Sequence, residues 1–206
     1  MSTPGTTLEH ESHELAPHIL VARARACVLM LIISDALSVL AIIVGGGYLS
    51  ALNTENQFRI AGDHSPAFLP GLLVAIVLVL SGLAYYWWER SNIRQRAATQ
   101  GTNQLIFFLL SWVFMIVAMV AQFVISIALN RGYSTPYDAY ESVLTLLTWF
   151  TAIHLLLTAF IGLLLSGRIM RGRIAGHEYV VEVTGYWWYY TVVASLVLWL
   201  FALLLA

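Results

Sequence analysis

Two side chains that can carry protons fall deep inside otherwise apolar runs of this sequence: Asp35 in CVLMLIISDALSVLAIIVGGGY and His154 in LTWFTAIHLLLTAFIGLLLSGR. A carboxylate and an imidazole can pass a proton between them or hold an ion pair, and within hydrocarbon neither is tolerated without a partner. Asp35 lies nine residues beyond Ala26, where its apolar run begins, which is roughly 13 Å along a helix rising 1.5 Å per residue. His154 lies twelve residues before Ser166, roughly 18 Å from the same surface in a helix running the other way. The depths are compatible, so the two side chains are expected to meet, directly or through Ser34, Ser38 or Thr151. Such a pair has two uses that spacing does not separate. It can be a polar bridge holding two helices, or a site that takes up and releases a proton.

The elements that must position these groups follow from hydropathy. A helix crosses the ~30 Å hydrocarbon layer with about 20 residues, and runs of that kind cover 26–50, 68–88, 103–130, 139–166 and 182–206. The runs are continuous rather than alternating, which favours helices over a barrel, because hydrocarbon offers backbone groups no partner outside the segment. The expected fold class is therefore all-α: a polytopic membrane protein whose domain, 26–206, is a bundle of five transmembrane helices. Residues 1–25 are expected to be a polar cytoplasmic tail, and MSTPGTTLEHESHELAPHI lacks the basic and short apolar regions of a cleavable signal peptide.

Arginines set the expected orientation. Arg23 and Arg25 precede the first run, Arg90, Arg94 and Arg96 follow the second, and Arg168, Arg171 and Arg173 follow the fourth, whereas the other side has only Arg59 and Arg131. The bias places the N-terminus in the cytoplasm and the C-terminus outside. The clusters Tyr85, Tyr86, Trp87, Trp88 and Tyr186, Trp187, Trp188, Tyr189, Tyr190 fall at the same edge and read as headgroup-level belts. The longest loop, 51–67, carries the turn residues Gly62, Asp63, Ser65 and Pro66.

Composition narrows the function classes. The 206 residues are 60% hydrophobic and 10% charged with a formal net charge of −1, so nothing favours nucleic acid as a partner. Cys27 is a single cysteine without zinc or redox spacing and reads as a buried small residue. Haem held by two histidines, or a copper or di-iron site, needs more intramembrane ligands than one Asp and one His. No metal site is therefore assigned. His10, His13, His18, His64 and His177 fall in tails and loops, and the HESHE stretch from His10 to Glu14 reads as a solvated tail. Thr158, Gly162 and Ser166 continue the His154 face at four-residue spacing and read as a close-packing strip, as do Gly45, Gly46, Gly47, Ser81 and Gly82 in the first two helices. Gln122 is expected to hydrogen-bond across the bundle.

These residues together resemble subunit III of haem-copper terminal oxidases, in the five-helix form common in bacteria, over most of the chain. LMLIISDALSVLAIIVGGGYL is similar to the family helix with a Ser-Glu pair, Ser34 matching the serine and Asp35 replacing the glutamate. LTWFTAIHLLLTAFIGLLLSGR is similar to the family stretch Leu-Thr-Gly-Phe-His-Gly-Leu-His and the helix after it, through Leu147, Thr148, Phe150, His154 and Arg168. VEVTGYWWYY is similar to Phe-Glu-Ala-Ala-Ala-Trp-Tyr-Trp-His-Phe, with Glu182 and Trp188 matched, and Gln122 matches a glutamine of the third helix. The chain departs from the family at Thr151 and Tyr189, where histidines stand, and at Ile125 and Ser126 in place of Glu-Tyr.

The resemblance implies a subunit of a cytochrome c or quinol oxidase that binds no cofactor itself. It would pack against subunits I and II, with haem and copper in those partners, bind phospholipid, and support proton uptake and turnover stability in a bacterial or archaeal cell membrane. Three alternatives stay open. One is an accessory subunit of a nitric oxide reductase, another a small proton-coupled transporter using Asp35, although the paired repeats and broken helices usual in transporters are not evident, and the third a pure assembly or lipid-organising scaffold.

Overall fold

Long apolar segments satisfy their backbone polar groups internally, and this chain does so with five α-helices: α1 Pro17–Ala51, α2 Phe68–Arg94, α3 Thr102–Gly132, α4 Ala139–Met170 and α5 Tyr179–Leu205. The computed structural model describes residues 17–53, 58, 68–94, 102–132, 138–174 and 177–206, and no strand occurs among them. Each helix contains a stretch long and apolar enough to cross a membrane.

All five extend beyond the hydropathy runs at one or both ends. The largest difference is at α1, which starts at Pro17 rather than near 26, so residues 17–25 of the expected 1–25 tail are helical, and 1–16 lie outside the described residues. Hydropathy reports where charge begins, whereas an α-helix continues as long as its own hydrogen bonds are made. Pro17 also suits a first helical position, where no amide hydrogen is needed. At 27 to 35 residues the helices measure about 40–52 Å, more than the thickness of a hydrocarbon layer.

Helix ends are closed locally. Asp138 caps α4 by accepting from the Glu141 amide at 2.7 Å. At the other end Gly172 adopts φ 63°, so that the Gly172 amide bonds Ile169 O and the Arg173 amide bonds Arg168 O, both at 3.0 Å. That pairing is a Schellman stop, and it needs the left-handed conformation glycine tolerates. It turns the chain back into α5 after Ile174, which is buried.

α5 is the hub, contacting α1, α2 and α4; α2 also packs on α3 and α3 on α4, while α1 touches only α4 and α5. α1 and α5 run parallel, because Arg25 pairs with Glu182 near their starts and Asp35 with Tyr190 further along. α4 runs antiparallel to both. Two apolar clusters form the core, one around Tyr85, Trp88, Phe108 and Trp188 toward the arginine-rich end, the other around Val39, Tyr140, Leu144 and Leu198 toward the opposite end. Thus the expected aromatic belts are mostly interior. Tyr85, Trp88 and Trp188 are fully buried and only Tyr86 and Trp87 lie well exposed, since large rings fill the space between α2, α3 and α5.

The small residues divide unevenly. A Cβ at Gly162 would lie 2.5 Å from Trp112 Cδ1, and one at Gly46 would lie 3.0 Å from Val143 Cγ1, so both mark close approaches. Gly82 faces Val192 at ordinary contact distance. Gly45 and Gly47 face open space, which corrects their expected packing role: within one turn only Gly46 points at a neighbouring helix. Cys27 is exposed rather than buried, because it lies on the side of α1 turned away from α4 and α5.

Candidate functional site

α1 packs along one narrow seam. Among its residues that lose exposure, Val28, Ile32, Asp35, Val39, Ile42 and Gly46 recur at alternating spacings of three and four, the spacing that keeps one edge of a helix against a neighbour. Asp35 is the one polar member among these six. Its neighbours on either side, Ser34 and Ala36, are exposed, so a rotation of one residue would have turned the carboxyl outward.

The carboxylate reaches two helices at once. Asp35 Oδ2 lies 2.8 Å from His154 Nε2 on α4 and accepts the Tyr190 hydroxyl of α5 at 2.6 Å. The imidazole is clamped behind by its own helix, Nδ1 lying 2.8 Å from the carbonyl oxygen of Phe150. It sits between rings, with the Phe150 centroid at 4.2 Å and the Trp187 indole near-parallel at 6.0 Å. Only 12% of the His154 side chain and 18% of that of Asp35 remain exposed.

These contacts constrain where hydrogens sit. A carbonyl only accepts, so Nδ1 must donate to Phe150 O and carry a hydrogen. Were Nε2 bare and Asp35 ionised, a lone pair would face a carboxylate oxygen at 2.8 Å. One proton must therefore lie on the Nε2–Oδ2 line, as imidazolium beside carboxylate or as imidazole beside carboxylic acid. In both forms the pair is neutral overall, which suits its depth. The arrangement can store one proton and shift it between two atoms without moving a side chain.

A buried hydroxyl network supports the imidazole. Thr158 donates to His154 O at 2.9 Å, shares a hydrogen bond of 2.9 Å with Thr191, and accepts from the Trp187 indole at 3.0 Å. Thr158 thus holds the Trp187 indole that lies beside the imidazole. Toward the arginine-rich end, Glu182 accepts from Arg25 at 2.7 Å and from the Tyr186 hydroxyl, while Glu89 of α2 accepts from Tyr189.

Of the residues singled out in the sequence, Asp35 and His154 come together directly. Ser34 and Ser38 stay outside the contact on the exposed side of α1, Ser38 donating to Ser34 O at 3.3 Å. Thr151 donates to Leu147 O at 2.9 Å and lines, with Gln122, Thr148 and Ser195, a cavity of ≈ 50 Å³ enclosed by α2, α3, α4 and α5. Gln122 donates to Thr148 O at 3.3 Å, linking α3 to α4, and Thr148 donates to Thr145 O. Phe150 supplies both a ring and a carbonyl to His154. Trp188 is buried and its indole donates to Ser81 Oγ at 3.1 Å; Ser81 and Ser111 bond each other's carbonyls at 2.8 Å and clamp α2 to α3. Ser166 only caps Leu163 O at 2.6 Å, and Arg168 is exposed at the end of α4. The HESHE stretch, His64 and Arg59 lie outside the described residues.

Tyr190, Tyr186, Trp187 and Glu89 escaped the sequence reading. The signal was available in part, since Glu182, Tyr186 and Tyr190 share one helical face at four-residue spacing. Read as a headgroup belt, the aromatic run concealed it. Among the described residues no three His, Cys, Asp or Glu side chains gather as a metal site. No protein-family model matches the chain, and no characterised protein matches it in sequence.

Proposed function

We propose that this chain is an accessory subunit of a haem-copper terminal oxidase, standing in the place of subunit III beside the catalytic subunit, with haem and copper held by its partners. In this reading Asp35 and His154 form a proton-handling pair within the bundle that tunes proton access for the neighbour's reaction. The observation that carries the proposal is the contact between two segments bearing the resemblance. The Ser34-Asp35 helix and the Thr148-to-His154 stretch, 119 positions apart at the contact, meet at 2.8 Å through the two residues matched to the family's glutamate and histidine.

The surface of α1 gives secondary support. Leu29, Ile33, Leu37, Leu40 and Val44 are exposed and apolar, a face suited to phospholipid or to the helices of a larger complex. The proposed setting is a bacterial or archaeal cell membrane, with the arginine-rich end in the cytoplasm.

The test is affinity purification from native membrane in mild detergent, followed by optical spectra and metal analysis. Haem and copper are expected in the complex, with no haem band in the chain isolated from it. A partner holding haem and non-haem iron without copper would assign the chain to a nitric oxide reductase. Recovery of the chain alone, folded and without any haem protein, would refute the proposal.

A further inference from the structure

Four oxygen-bearing side chains from three helices line one cavity of ≈ 50 Å³: Gln122 of α3, Thr148 and Thr151 of α4, and Ser195 of α5. All four are buried, Ser195 and Gln122 remaining only 4% and 9% exposed. Toward α2 the wall is the Trp199 indole, packed so closely on Gly71 that an added Cβ would stand 2.1 Å from its Nε1.

The hydrogen bonds these side chains already make leave a definite remainder. Thr148 and Thr151 donate to Thr145 O and Leu147 O of their own helix, so each hydroxyl keeps only lone pairs to offer. Gln122 donates through Nε2 to Thr148 O. A carbonyl only accepts, which fixes the orientation of the amide and leaves Oε1 as an acceptor. Neither Gln122 Oε1 nor the Ser195 hydroxyl bonds another group among the described residues. Three acceptors and one hydroxyl donor thus line the same small volume, and buried polar groups are costly when left unpaired.

We propose that this cavity is a hydration site, holding about two water molecules that join α3, α4 and α5 inside the membrane-spanning bundle. The inference goes beyond the reading of the Asp35–His154 pair and holds whichever complex the chain joins.

Size and hydrogen count both fit. At the ~30 Å³ that a water takes in the liquid, ≈ 50 Å³ admits about two molecules. A cavity that takes benzene is about 150 Å³, so a hydrocarbon ring does not fit. Two waters bonded to each other keep three hydrogens, one each for Gln122 Oε1, Thr148 Oγ1 and Thr151 Oγ1, and an oxygen to accept from Ser195. A cation would meet no carboxylate among the lining residues, where Val74, Leu78 and Ile125 complete the wall, and its charge would go uncompensated. An apolar gas would leave every polar group unpaired.

The experiment uses the full chain, labelled with 13C-threonine, in lipid nanodiscs. Magnetic resonance measures transfer of magnetisation from water protons to the threonine methyls, with Thr148→Val and Thr151→Val assigning two of the signals. Thr158 and Thr191 are the internal control, fully buried, bonded to each other at 2.9 Å and outside the cavity lining. Transfer to Thr148 and Thr151 is expected at mixing times that leave Thr158 and Thr191 without signal. Gln122→Leu combined with Ser195→Ala is expected to abolish that transfer. Xenon should then shift the Thr148 and Thr151 methyls, because an apolar cavity stays dry and takes the gas. The proposal is overturned if Thr148 and Thr151 of the wild-type chain receive no more magnetisation than Thr158 and Thr191, a comparison that needs no substituted chain to fold. It is equally overturned if the folded double variant keeps the transfer, or if sodium chloride and not choline chloride shifts the two methyls, which would make the occupant a cation.

Discussion

The Asp35–His154 contact makes a quantitative demand on stability that a double-mutant cycle can read. Asp35→Leu leaves two polar groups facing a hydrocarbon side chain, His154 Nε2 and the Tyr190 hydroxyl, which now sit 2.8 and 2.6 Å from Oδ2. An orphaned buried polar group costs about 1–3 kcal/mol, and the partial exposure of both partners favours the lower half, so the substitution should cost about 2–4 kcal/mol. His154→Leu strands one carboxyl that still has Tyr190, at about 1–2 kcal/mol. Together the two substitutions leave only the Tyr190 hydroxyl unpaired, at about 1 kcal/mol. The coupling between the sites is therefore about 2 kcal/mol or more, well above the ~0.6 kcal/mol average for hydrogen bonds between helices in a bilayer. Reversible unfolding by SDS in mixed micelles, followed by tryptophan fluorescence, measures all four corners of the cycle. Additivity within about 0.5 kcal/mol would mean that the contact contributes nothing to holding α1, and would refute the argument from orphaned groups.

Two further outcomes follow from the geometry. Gly162→Ala places a Cβ 2.5 Å from Trp112, whose indole also donates to Ala159 O at 2.9 Å; overpacking should cost about 1–3 kcal/mol. Gly45→Ala and Gly47→Ala, facing open space, should instead stabilise by about 0.5 kcal/mol each through helix propensity, and the same unfolding assay would refute this ranking if all three behaved alike. For orientation, Arg173→Cys in a Cys27→Ala background should react with a membrane-impermeant maleimide in inverted vesicles but not in right-side-out ones, and the opposite labelling pattern would refute the proposed topology.

How far the site was legible depended on the residue. Asp35 and His154 stood out because hydrocarbon leaves an ionisable group few explanations, and helical rise alone put them at compatible depths. Tyr190 did not stand out, because a tyrosine near the end of an apolar run has an ordinary place at the headgroups. Only its register against Asp35 turns it into a hydrogen-bond donor to the pair. Ser34 was the more obvious companion, being adjacent to Asp35, yet on a helix the next residue points about 100° away.

Chain chemistry alone determined that five apolar helices form, roughly where they lie, and which two ionisable groups need partners, since each of those results depends on one segment and its solvent. Tertiary structure decided which edge of α1 faces α5, which of three neighbouring glycines meets another helix, and which hydroxyls reach carboxylates. The physical reason is that these helices are apolar on every side. With no polar face to set their rotation, the azimuth of each comes from packing against its neighbours, and so do the identities of the side chains that touch.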